Sequence, residues 1–163
     1  MSAAVKFRER LGAEVTEHLG SSYTFLKSRT EIRVEAPQGH NVLILSGSNK
    51  YSPFVEVAFY FGKNFAAAKA IERKHGLYQF PYHVQQYSYN RASFSELQFS
   101  GPCTWSVDIT KPPSNLAQEI VSAIKGLAQP FFSRFEDMRA ARDALAANDP
   151  WCFGGPVFWG QLL

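Results

Sequence analysis

Side chains able to do chemistry crowd together between Leu77 and Arg91, where the chain reads Leu-Tyr-Gln-Phe-Pro-Tyr-His-Val-Gln-Gln-Tyr-Ser-Tyr-Asn-Arg. Tyr78, Tyr82, Tyr87 and Tyr89 are flat apolar bodies with polar tips. Gln, Asn and Arg91 add directional hydrogen-bond donors. Rigid rings cost little entropy to immobilise, so the mixture suits recognition of a partner surface. His83 lies among them and titrates near neutral pH, which makes it the one candidate acid or base. The plainer alternative is an edge strand whose tyrosines cover a sheet and keep their hydroxyls in water.

The remaining reactive types do not assemble into a recognisable catalytic pattern. The four histidines, His18, His40, His75 and His83, show none of the H-x-x-x-H, H-E-x-x-H or Cys-plus-His spacings of a metal site, and no cofactor motif is present. Cys103 falls on the apolar side of a strand beside Trp105, and Cys152 sits between Trp151 and Phe153. Both settings disfavour the thiolate. Two cysteines are also too few for a disulfide scaffold. Ser46-Gly47-Ser48-Asn49-Lys50 lacks the P-loop pattern and reads as a polar hairpin loop.

The last thirteen residues, 151–163, are too apolar to stand in water and too rich in Gly and Pro for a regular helix. Trp151 and Trp159 are their largest side chains. They serve either a strap packed back on the domain or a contact with another subunit.

Charge narrows the partner class. Eleven Lys and Arg face seven Asp and Glu through His75, but Lys27, Arg29, Glu31, Arg33 and Glu35 alternate in sign. Alternating charges cancel at a distance, which disfavours a nucleic-acid surface. No apolar run approaches the ~20 residues of a membrane span, and the N-terminus turns charged before a signal-peptide core forms. A cytoplasmic location is the expectation.

These residues need a frame. Phe7, Leu11, Val15 and Leu19 make a helical stripe over 3–19, closed by Gly20. Tyr23–Ala36 alternates as one strand with a wet, charged face. Residues 41–45 read as an interior strand, 46–53 as a loop and 54–61 as a third strand ending at Gly62. Asn64 should cap a helix running to about His75. Strand-like pieces follow at 82–89, 95–99 and 104–110. Leu116, Ile120, Ile124, Leu127, Phe131, Phe135, Met138 and Leu145 then form a long helical stripe, in which Pro130 imposes a kink or a division. With 163 residues, 45% of them hydrophobic, the expectation is one α+β domain over 1–163. Its mostly antiparallel sheet has five or six strands, and the N-terminal, mid-chain and C-terminal helices pack on it. A curved sheet gripping the C-terminal helix around a cavity is the alternative.

The functional expectation is a non-enzymatic binding or protein-interaction module, in its simplest form a homodimer. The alternative is a pocket between sheet and helices for a small apolar or aromatic ligand, with catalysis through His83. Nucleic-acid binding ranks third.

Overall fold

The computed structural model describes residues 2–51, 53–77, 82–90, 97 and 99–151. Tyr78, Arg91, Cys152, Trp159 and most of the 95–99 piece lie outside them, as does the rest of the C-terminal tail.

Helix α1 spans Ala3–Leu19, as the stripe predicts. Ser2 caps it by accepting the Val5 amide, and Gly20 closes it at φ 107°, a value that only glycine adopts without strain. The expected single strand over 23–36 is instead a hairpin. β1 (Tyr23–Leu26) and β2 (Glu31–Ala36) are joined by one 3₁₀ turn over Lys27–Arg29, with Thr30 in the left-handed region at φ 51°. Reversal of the chain changes which side chains share a face. Leu26 pairs with Glu31, not with the Ile32 face.

Pro37 and Gln38 turn β2 into β3 (Gly39–Tyr51), and β4 (Phe54–Phe65) runs back along it. Both strands are longer than the sequence suggests. Residues 46–51 belong to β3, not to a loop: Ser46, Gly47 and Ser48 pair with Ala58, Val57 and Glu56, and after a register shift Tyr51 pairs with Phe54. At the other end, Asn64 stays in β4 opposite His40. Helix α2 (Ala66–Lys74) therefore begins without a side-chain cap, and the Gln38 carbonyl accepts the Ala66 amide instead. Gly39 is required by this close approach, since a Cβ there would drive into the Asn64 carbonyl.

The far edge of β4 is shared. β5 (Val84–Tyr87) pairs with its C-terminal half and β6 (Trp105–Asp108) with its N-terminal half, so the sheet is antiparallel throughout. Helix α3 (Ser114–Ala123) continues through a π-helical segment, Ile124–Ala128, into α4 (Gln129–Arg134). The π segment lies just ahead of Pro130, the residue that lacks an amide hydrogen. A break at Phe135–Asp137 follows, and the Asp137 carboxylate caps α5 (Met138–Ala146) by accepting the Arg139 and Ala140 amides.

The fold is thus α+β, with α1, α3 and α4 packed on one side of the sheet. Ile32, Leu43, Leu45, Val57, Phe59, Phe61 and Phe65 point toward α1, α3 and α4, and all are buried. Phe61 meets Phe131 edge to face at 5.0 Å, and Phe131 meets Phe135 at 4.8 Å. These rings pack between the sheet and the helices. Gly12 leaves room for the Phe25 ring against α1, and Gly126 does the same for Phe99. No helix among the described residues is long and apolar enough to cross a membrane.

Candidate functional site

The face of the sheet opposite the helices carries every second residue of the central strands. Glu31, Arg33 and Glu35 of β2, His40, Val42 and Ile44 of β3, Tyr60 and Gly62 of β4, and Gln85 and Tyr87 of β5 fall into register there. Phe59, Phe61 and Phe65 take the alternate, helix-facing positions of β4 and are buried, whereas Phe54 at its start is 52% exposed.

Four tyrosines form a continuous row on this face. Tyr60 pairs across the ladder with Tyr87, ring centroids 5.7 Å apart, and meets Tyr82 edge-on at 6.1 Å. Tyr87 in turn carries Tyr89, stacked at 5.1 Å with the planes 25° apart. Gly62 makes room for Tyr82. A Cβ at position 62 would lie 3.0 Å from the Tyr82 ring and 2.8 Å from the Val84 carbonyl oxygen. Tyr60, Tyr82 and Tyr87 are half-buried, whereas Tyr89 is 57% exposed.

Charges of both signs border the row. Arg33 holds Glu31 Oε1 through Nε at 2.9 Å and Nη2 at 2.5 Å. Glu31 is buried by that pairing, so the charge ladder is not the wholly wet face its alternation suggests. Arg29 and Glu35, near the two ends of the line, are exposed. Burial raises the pKa of both Tyr60 and Tyr82, and the neighbouring phenol adds to it in the case of Tyr82. Both phenols stay neutral near neutral pH and can donate and accept.

Three of the sequence-predicted residues, Tyr82, Tyr87 and Tyr89, are therefore brought together. His83 is not with them. It is buried and turned toward α2, where Nε2 lies 3.0 Å from Glu72 Oε1 and Nδ1 accepts the Phe65 amide at 2.8 Å. Both ring nitrogens are engaged by protein groups, so the imidazole does not join the tyrosine row. Trp151 is also placed elsewhere. It is buried in the core with the Arg134 guanidinium 4.6 Å from its ring, and Arg134 also pairs with Asp149.

Tyr60 was missed by sequence reasoning. Its signal was the alternation Phe59-Tyr60-Phe61 within the strand read over 54–61. Lys63 was missed as well. It is fully buried on the helix-facing side, and Nζ donates to the Glu136 carbonyl at 3.1 Å. Burial pulls its pKa down, with the Glu136 carboxylate working against that shift.

Among the described residues, no group of three or more His, Cys, Asp or Glu side chains is placed to hold a metal ion. No protein-family model, curated protein or solved structure matches the chain.

Proposed function

We propose that the chain is a binding module that works through the tyrosine row, and that its partner is a second copy of itself. The observation that carries this reading is Tyr89. A large aromatic side chain stands mostly in water at the end of three others, which is how rigid, polar-tipped contact residues are presented at interfaces.

The charges favour a self-complementary partner. Arg29, at the end of the 3₁₀ turn, and Glu31, Arg33 and Glu35 of β2 run positive, negative, positive, negative and sum to no net charge. Such a line does not attract a phosphate backbone. Laid antiparallel on a copy of itself, it sets Arg29 of each protomer against Glu35 of the other, as twofold symmetry requires of an isologous contact.

Sedimentation velocity across a wide concentration series tests this. The wild-type chain is expected to shift from monomer to dimer with concentration, and Tyr87→Ala/Tyr89→Ala is expected to remain monomeric. A wild-type chain that stays monomeric throughout overturns the reading. So does a dimer that the double variant leaves intact.

A further inference from the structure

His83 is held at points that fix its protonation state. The Phe65 N–H donates to Nδ1 at 2.8 Å. A backbone amide can only donate, so Nδ1 keeps its lone pair and the ring proton sits on Nε2. Nε2–H then donates to Glu72 Oε1 at 3.0 Å, and the Lys69 ammonium lies 3.1 Å from Glu72 Oε2. The ring also stacks on Phe65, centroids 5.9 Å apart, and the backbone N–H of His83 donates to the Lys63 carbonyl at 2.9 Å. One imidazole thus ties α2 to the end of β4 and to the approach to β5.

A second proton has to enter at Nδ1, where it would face the Phe65 N–H, donor against donor. That hydrogen bond cannot persist in the charged ring. Glu72 on α2 favours the imidazolium, whereas Lys69 on the same helix and His40 on β3 oppose it. On the adjoining strand, Lys63 places its ammonium 5.5 Å from the Phe65 ring centre. Burial outweighs the pull of Glu72 and holds the pKa of His83 below its ordinary value.

We propose that His83 is an acid-sensitive latch: protonation at Nδ1 breaks the Phe65 amide bond, releases α2 from the segment around residues 82–84, and loosens Tyr82 in the tyrosine row. Control of partner binding by this latch rests on the reading given above, but the latch itself does not.

The test is nitrogen-15 NMR on the full chain from about pH 7.5 to about pH 5, the span in which imidazoles titrate. It reads the tautomer of His83 and the exchange of the Phe65 amide, corrected for the intrinsic pH dependence of exchange. The expected result is the Nε2–H tautomer at the upper end. Phe65 protection is then expected to fall about tenfold for each pH unit below the point where His83 takes up its proton. His83→Asn keeps an acceptor near the Nδ1 position and cannot titrate, so its Phe65 protection should stay level. His83→Gln keeps the donor toward Glu72 and is the second non-titrating variant. If neither variant folds, the wild-type tautomer and Phe65 titration decide alone. Three results overturn the proposal: a proton on Nδ1 at neutral pH, constant wild-type protection down to about pH 5, or the same loss in both variants. Self-association at neutral pH is read separately by sedimentation, so failure of the latch and failure of the binding reading are distinct.

Discussion

Tyr89 lies over Tyr87 with ring centroids 5.1 Å apart and planes 25° from parallel, although the two residues sit in different backbone environments. Tyr87 is the last residue of β5, and Tyr89 belongs to the turn beyond it. The stack extends the row past the edge of the ladder and carries its last ring into solvent. Four aromatic rings with hydroxyl tips are thus joined by ring contacts and bordered by charges of both signs.

Gly62 is the point on which the row depends. A methyl group at this position would meet both the Val84 carbonyl and the Tyr82 ring. Gly62→Ala is expected to cost about 1–3 kcal/mol, as overpacking against backbone does, and to displace Tyr82. Urea unfolding together with the Tyr82 ring shifts checks both, and an unchanged midpoint would contradict the close packing.

The core prediction concerns Phe131, which touches Phe61, Phe132 and Phe135 and is fully buried. Phe131→Ala should remove about 3–5 kcal/mol of stability. Chemical denaturation measures it. A loss under about 1 kcal/mol would mean that α4 does not seal the sheet.

Lys63 should behave in the opposite way. Its ammonium is buried against Phe65 with the Glu136 carbonyl as acceptor, and among the described residues it makes no ion pair with a carboxylate. Replacement by an apolar chain of similar length removes a desolvation cost. Lys63→Met is expected to leave stability unchanged or raise it by about 1 kcal/mol or more. A loss above about 2 kcal/mol would show that the charge stabilises the α4–α5 junction.

Acid should weaken the fold. His40 and His83 both have their pKa lowered, in each case chiefly by burial, from the ordinary 6.5. Below that value the unfolded chain takes up protons that the native state refuses, so the stability supplied by the neutral imidazoles is complete above about pH 6.5 and declines beneath it. The urea midpoint at about pH 5.5 is expected to lie below that at about pH 7.5, with a smaller difference in His83→Asn. A midpoint that is flat or higher in acid would contradict the lowered pKa of the two imidazoles.

Much of this architecture is legible in the residues, and the exceptions have physical causes. Ser2 and Gly20 mark both ends of α1, and Phe7, Leu11 and Val15 fix its buried face. The β1–β2 reversal is hidden because charged residues continue their alternation straight through a 3₁₀ turn, whose left-handed position is filled by Thr30 instead of glycine. Ser46, Gly47 and Ser48 carry turn chemistry, yet pairing with Ala58, Val57 and Glu56 keeps them in β3. Tertiary partners overrode local preference in the same way at Asn64. In the site, the tyrosines could be read but their convergence could not, since it depends on the β4–β5 register and on the empty space above Gly62. The direction of His83 was equally hidden, because the regular ladder of β5 begins only at Val84 and the side chain before it is free of the strict alternation.

The most direct measurement of the central claim is amide and tyrosine-ring NMR of the wild-type chain on dilution, which reports the residues at any contact between copies. The expected result is concentration-dependent shifts confined to Tyr60, Tyr82, Tyr87, Tyr89 and the Arg29–Glu35 line, with α1 and α3 unmoved. Shifts centred on α1 or α3, or a spectrum that does not change with concentration, would contradict it.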